Sequence, residues 1–586
     1  MLNVRMYRIA WLLAVAGILL VLLTLKSPGT VPHPAVPPAI NGAAIVNATQ
    51  TVQSLAPTRA PGSAGDQAVA AWVQQQFIAS SGAQGSVTGG AARVGQQQFV
   101  ARWRGRLIHG TNVFLSLPGT VTGASQQPAI VIAAHRDTPP GVTADASATG
   151  MLVALAQLSA NTAHQRPLIF VSTDASIAGN AGMRWFLPKV HGVRTGAVIN
   201  VDAPDESPPS GAVWVWAGGR DNRQALGLEQ VARTAIARAG GMAAPEPGVG
   251  TQLLRLAVPQ TFGDQAPAIA EGIPSVTVAG RPDTPVYGPP LAGETQQAVF
   301  GNAVLGLAGS LDVMTGIPGP TAAVFVAGRQ LDAAALTVIL FLVIMPVLAV
   351  AVDASLRLRR ARIPWRPGIV GLGWRVLPWV VAACVGTALA RAGLMPGLSA
   401  GQVPQPGDAP VLARSLVALA AIVVVGLVLS VWSVSHIARI TLIPASDVAA
   451  SLAGLGVMLV VAFVFRPFMI VLVVVAAHAA VLSLTASRRW QLALAVAVAL
   501  VPLAALCWSV ADQVHRGVPY TGWYLLVTTI QGGRGVAGPM LAVVLVVCAG
   551  SVVAVADRRL RNVPQIRRPP VWDVVTARAR DVWADR

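Results

Sequence analysis

Seven apolar runs crowd the second half of this chain, near residues 333–352, 376–391, 410–432, 447–465, 467–486, 491–511 and 536–556, and an eighth opens it at 9–25. Most approach the ~20 residues with which an α-helix crosses a bilayer. Between the first run and the others lies a long stretch that is more polar and rich in Gly and Pro. Backbone in lipid must satisfy its hydrogen bonds internally, so the runs are restricted to helices. The expected organisation is an N-terminal signal-anchor helix (1–26), a Pro-rich linker (27–40), an extracytoplasmic domain (41–330), a seven-span bundle (331–556) and a basic tail (557–586). Composition agrees, with 54% hydrophobic and 11% charged residues among 586 and a mean hydropathy of +0.61.

The net charge of +18 is carried almost entirely by arginine, Lys26 and Lys189 being the only lysines. These arginines do not interleave with aromatics on a soluble face, so a nucleic-acid partner is not expected. They flank apolar runs instead: Arg357, Arg359, Arg360, Arg362, Arg366 and Arg375 follow one, and Arg558, Arg559, Arg561, Arg567 and Arg568 follow the last. Under the positive-inside rule the eight spans place both termini, Arg439 and Arg488-Arg489 in the cytoplasm and 27–330 outside. The expected location is therefore the plasma membrane, multi-pass, with the lipid bilayer as first partner. The Arg-for-Lys bias with abundant Ala, Val and Gly suggests a high-GC bacterial source.

The 9–25 run follows Arg5 and Arg8 and passes into Lys26 and SPGTVPHPAVPP without a small-x-small cleavage site, which favours an uncleaved anchor over a signal peptide. Cys384, Cys507 and Cys548 fall in or beside apolar runs and read as small hydrophobes, leaving no thiolates for the extramembrane domain. His478 sits mid-run. An ionisable residue at that depth is a functional candidate, although a neutral imidazole hydrogen-bonded between helices is the favoured reading. The 513–535 segment, with Tyr520, Trp523 and Tyr524, reads as an interfacial aromatic loop.

Within 41–330, strands near 97–102, 112–117, 129–134, 168–172, 197–201 and 275–278 alternate with helices near 65–80, 150–158, 181–187 and 225–239. That alternation indicates an α/β domain, a mostly parallel sheet with flanking helices. Ligands collect at the carboxyl ends of such strands, where His135, Asp174 and Asp202 are expected.

The segments RAPGSAGDQAVAAWV, TNVFLSLPGT, AAHRDTPPGVTADASATG, PLIFVSTDASIAGNAGMRWF, AVINVDAP and GDQAPAIAEGIPSVTV, in this order over most of 55–315, resemble the zinc aminopeptidases of the M28 type. The resemblance implies a site of two zinc ions bridged by an Asp, with a Glu general base beside a Glu ligand. By position, His135, Asp145 and Asp202 match the ligands of one metal, Asp145 being the bridge. That implies at most one Zn here, because the Glu-Glu pair falls on Ser176 and Ile177, and the late His has no counterpart in AGRPDTPVYGPP. Asp137, Asp174, Ser176, Ile177, Asp264 and Gln265 would line the site. Asp174 reads as a cap on the following loop, and Asp205-Glu206 as a solvated acidic turn. Neither Ser147 nor Ser176 lies in a G-x-S-x-G elbow, which argues against a serine hydrolase.

Without a base or a second metal, two-metal hydrolysis is not expected. The sequence reads as a pseudo-peptidase, a scaffold or substrate-binding subunit with a membrane-protein partner or a peptide or lipid-linked ligand in its cleft. The architecture is similar to the attachment subunit of the glycosylphosphatidylinositol transamidase. The alternative is a hydrolase or transferase using one metal, since three ligands and an open position suffice for catalytic zinc. A transporter would need a polar path, for which His478 is the only ionisable residue deep in a run.

Overall fold

The computed structural model describes residues 4–27, 32, 39–84, 92–103, 106–119, 127–143, 146–187, 194–208, 210–259, 261–284, 290–394, 409–439, 443–514, 517–531 and 537–562. Helix α1 (Val4–Leu22) is followed by α2 (Gly42–Leu55), α3 (Ala64–Gln84), β1 (Arg93–Trp103), β2 (Arg106–Leu117), β3 (Ala129–His135), α4 (Ser147–Ser159), β4 (Leu168–Thr173), α5 (Ala181–Phe186) and β5 (Thr195–Asp202). Then come β6 (Ala212–Trp216), α6 (Leu226–Arg238), β7 (Met242–Ala243), α7 (Val249–Ala257), α8 (Gln265–Ala270), β8 (Ser275–Ala279), α9 (Glu294–Val313), β9 (Val324–Val326) and β10 (Arg329–Leu331).

Eight strands form one sheet in the order β1-β2-β4-β3-β5-β8-β6-β7. The central strands β4, β3, β5 and β8 run parallel, while β1, β2 and β6 pair antiparallel at the flanks. The sheet is thus mixed, with the expected parallel order at its centre and the short edge strand β7 again parallel to β6. AIVIAAH and LIFVST are apolar almost throughout because helices cover both faces. Successive side chains of β3 serve opposite cores: Ile130 and Ile132 join Ile45, Leu152 and Phe300, whereas Val131 and Ala133 join Met183, Phe186 and Leu187. Helices α2 and α9 and strand β6, none of them evident from the sequence, complete this packing.

The helical region comprises α10 (Ala333–Arg360), α11 (Arg366–Arg391), α12 (Ala409–Arg439), α13 (Pro444–Phe465), α14 (Ile470–Ser483), α15 (Arg489–Val514), α16 (Val518–Gln531) and α17 (Ala537–Asn562). Among the described residues six helices are long and apolar enough to cross a membrane: α1, α10, α11, the Ala413–Ser433 part of α12, α13 and α15. The expected runs at 467–486 and 536–556 fall in the shorter apolar segment Pro467–Ser483 and in α17. Two readings need correction. The 513–535 segment is not a loop: it contains α16, whose Trp523, Tyr524 and Leu525 are buried. Arg375 does not lie in a connecting loop either. It sits within α11, where a two-pronged pair with Asp447 of α13 (2.9 and 2.6 Å) compensates its charge. His478 is therefore not the only ionisable side chain inside the bundle.

His478 takes the bland role. Tyr7 Oη lies 2.8 Å from Nδ1, and Nε2 lies 2.9 Å from the Val343 carbonyl. The carbonyl requires Nε2 to carry the proton, so Nδ1 accepts from the phenol and the imidazole is neutral. This triad holds α1 against α10 and α14. At the other end of α1, Lys26 pairs with Gln330 of β10 through both backbone groups.

The α/β domain is seated on the bundle through α7. Leu256 and Ala257 enter the bundle core, and Leu254, Val258 and Phe262 pack against the cluster containing Trp523 and Tyr524.

Candidate functional site

Strand register brings the predicted residues together. His135 pairs with Thr173 of β4, Ala134 with Val201 of β5, and Asp202 with Ala279 of β8. Four parallel strands therefore end side by side, carrying His135, Asp174, Asp202 and Arg281 at or just beyond their ends. His135 Nε2 lies 3.3 Å from Asp202 Oδ1, the two side chains being 17% and 19% exposed. Asp145 lies outside the described residues.

The residue that sequence reasoning missed is Arg281. One of its nitrogens lies 3.2 Å from Asp202 Oδ1, the oxygen that faces His135, and another lies 3.1 Å from Glu206 Oε1. The signal was present in AGRPDTPVYGPP, where a strongly basic residue follows β8 in the segment searched for a histidine. Ala203 adopts a left-handed conformation (φ 45°) directly after Asp202, an unfavourable backbone for alanine. The turn it starts carries Pro204–Glu206 back over the strand ends to Arg281. Asp205 and Glu206 are only 3% and 7% exposed, so the expectation of a solvated acidic turn is wrong. Burial there is compensated by the guanidinium.

A second buried ion cluster explains Asp174. Arg136, fully buried, meets Asp66 of α3 at 2.9 Å and Asp174 at 3.5 Å, and it also donates to the Ser172 and Thr111 carbonyls. Asp174 accepts the Thr111 amide at 3.0 Å. It thus braces β2 against β4 and does not cap the following loop. That cap comes from Asp137, whose two oxygens accept the amides of Ser176 (2.9 Å) and Ile177 (3.2 Å). Ser176 and Ile177 are partly exposed on a single 3-10 turn.

Asp264 is buried, bonded by the Asn180 amide at 2.5 Å and near the Thr173 hydroxyl at 3.4 Å. Gln265 is occupied by Thr261 and Thr277. Arg220 donates to Asn180 and to the Thr261 and Gly179 carbonyls, and it lies within electrostatic range of Tyr524 in α16. Asp264, Asn180 and Arg220 therefore form a hydrogen-bonded chain, with His135 and Tyr524 within electrostatic range of its two ends.

Charge is distributed accordingly. Burial opposes the His135 imidazolium, but the hydrogen bond and charge of Asp202, with Asp264 and Asp137 behind it, raise it to about 9. Burial works against the Asp202 carboxylate, yet Arg281 and His135 hold it well below the usual range. Burial pushes Asp137 up to about 6, against His135 and the two amides. A general base works best with a pKa near the operating pH. Asp137 comes nearest, and both its oxygens are engaged.

Zinc makes a definite geometric demand on these side chains. A tetrahedral ion takes N and O donors at ~2.0–2.2 Å, which suits the His135–Asp202 spacing taken alone. Arg281, however, already faces the same Asp202 oxygen, placing a guanidinium beside any dication bound there. Among the described residues, no group of three His, Cys, Asp or Glu is placed to hold a metal. With Asp145 outside the described residues, those described do not by themselves complete a zinc site, and Arg281 gives Asp202 a cation of its own.

Residues 112–291 match Peptidase family M28. Solved structures similar to this chain include the LapA aminopeptidase of Legionella pneumophila (17% identity, 47% of this chain and 73% of that one, TM-score 0.35). An Acidobacteriales bacterium glutaminyl cyclase (17%, 48% and 99%, 0.36) and the zinc aminopeptidase BSAP of Bacillus subtilis (10%, 48% and 100%, 0.34) are also similar. No curated protein matches the chain.

Proposed function

We propose that this chain is a membrane-held, peptidase-like binding protein that does not hydrolyse peptides. Its M28-type domain binds a peptide, a lipid-linked head group or a partner protein in an extracytoplasmic cleft. The bundle of the plasma membrane keeps that cleft at the bilayer surface, with both chain termini in the cytoplasm. The observation that supports this reading is the Arg281 guanidinium on Asp202 and Glu206. It gives the strand ends the positive charge that a metal supplies in a hydrolase, but it has no coordination position from which to activate water. Ser176 and Ile177, at the positions of a base and a ligand, add neither function.

The docking of α7 and Phe262 on α16 supports a ligand met at the membrane surface. A substrate-presenting subunit, the role that the sequence architecture suggests, fits this placement. The test is turnover of aminoacyl-nitroanilides by the purified full-length chain. The reading predicts none above a His135→Ala control; turnover abolished by that substitution would support the single-metal hydrolase instead.

A further inference from the structure

An open apolar groove lies in the bundle. Arg375, Pro378 and Trp379 of α11, Ser430 and Ser433 of α12, and one face of α17 line about 600 Å³. That is within the roughly 300–1,000 Å³ typical of ligand pockets. The α17 face runs through Val543, Val547, Gly550 and Ala554, at helical spacings of three and four. At 1.5 Å per residue it extends ~16 Å, about half of a ~30 Å hydrocarbon core and so one leaflet deep.

The two ends of this groove differ chemically. The same α17 face continues, four residues beyond Ala554, to Arg558, which lies within electrostatic range of Arg375 and Asp447. Two arginines against one aspartate leave one positive charge there. Gly368 of α11 donates to Ser446 of α13 at 3.0 Å, which ties together the starts of both helices. The charged end is therefore where α11 and α13 begin and α17 finishes, the basic and cytoplasmic side by the positive-inside reading. Ser430 Oγ is buried in the groove wall without a hydrogen-bond partner among the described residues. An apolar trough one leaflet long, with a free donor in its wall and a cation at its mouth, is complementary to an anionic amphiphile.

We propose that the groove binds one acyl chain of an anionic glycerophospholipid from the cytoplasmic leaflet, with its phosphate group at Arg558. Gly550 lines the groove, and a β-carbon built on it meets nothing within 4 Å. The experiment is native mass spectrometry of the full-length chain in mild detergent, titrated with phosphatidylglycerol or with phosphatidylcholine of identical acyl chains. The wild type is expected to prefer phosphatidylglycerol by about tenfold. Arg558→Gln removes the preference while the chain still binds lipid, and Gly550→Leu weakens both lipids. Val546→Trp, at a 60% exposed position on the same wall, repeats the blocking test should Gly550→Leu fail to fold. Equal binding of the two lipids by the wild type, or binding undiminished in the folded blocking variant, overturns the proposal.

Discussion

Arg281 reaches Asp202 from the neighbouring strand, its guanidinium 3.2 Å from Asp202 Oδ1. The approach is fixed by backbone: Asp202 pairs with Ala279 in register, and the Gly280 amide donates to the Asp202 carbonyl at 3.0 Å. One residue later the chain is at Arg281, with no slack. The same guanidinium holds Glu206, so one cation serves two carboxylates, Glu206 buried and Asp202 partly so.

Removing that cation takes the guanidinium from both acids and leaves Asp202 with His135. Breaking a buried ion pair by deleting one partner costs about 3–5 kcal/mol, and Arg281→Met is expected to destabilise the extramembrane domain by that order. Chemical denaturation followed by domain tryptophan fluorescence measures it. A loss under 1 kcal/mol would show that Asp202 and Glu206 find compensation elsewhere.

Gly280 makes the approach possible. A β-carbon there would lie 2.1 Å from the Ala203 carbonyl and 2.8 Å from the Ser207 amide, both rigid backbone. Gly280→Ala is expected to cost about 1–3 kcal/mol through overpacking and to loosen Arg281 from Asp202. A double-mutant cycle with Arg281→Met checks the second point. Strict additivity would mean that Gly280 does not position Arg281.

Asp66 should give the domain an acid-favoured stability. Burial, outweighing the opposing charge of Arg136 and reinforced by Asp174, pushes its carboxyl up to about 8, against ~3.9 for an unfolded aspartate. The folded state therefore binds the proton more tightly. The contribution is complete below about 4 and is lost as pH rises through about 8. Asp66→Asn should flatten that part of the profile in thermal melts across this range. An unchanged slope would assign it to other groups.

Within the bundle, Tyr7→Phe removes the donor to His478 Nδ1 and leaves its bond to Val343. Side-chain hydrogen bonds between membrane helices average about 0.6 kcal/mol, so the expected loss is small. His478→Leu removes both bonds and should cost more in the same detergent unfolding assay. If the two variants were equal, the Val343 contact would be contributing nothing.

The fold was readable wherever burial imposed a pattern. The doubly covered strands β3 and β4 announce themselves as apolar runs. Helices α2 and α9 were not readable, because Ala, Gly, Thr and Gln weaken their periodicity while packing decides their fate. The His135–Asp202 pair was reachable by spacing because both residues end strands. Arg281 was not, since its role depends on which strand lies beside β5, and the order β3-β5-β8 is long-range information. Asp174 was misassigned for a related reason: a carboxylate at a strand end serves whichever donors the neighbouring strand presents.

If Arg281 stands where a metal would, zinc content reports it. Full-length protein purified without chelator and dialysed against zinc at near-neutral pH would be assayed by elemental analysis, beside Arg281→His. The account predicts no stoichiometric zinc in the wild type and a gain in the variant, where an imidazole replaces the guanidinium. One tightly held zinc per wild-type chain, lost on His135→Ala, would contradict it.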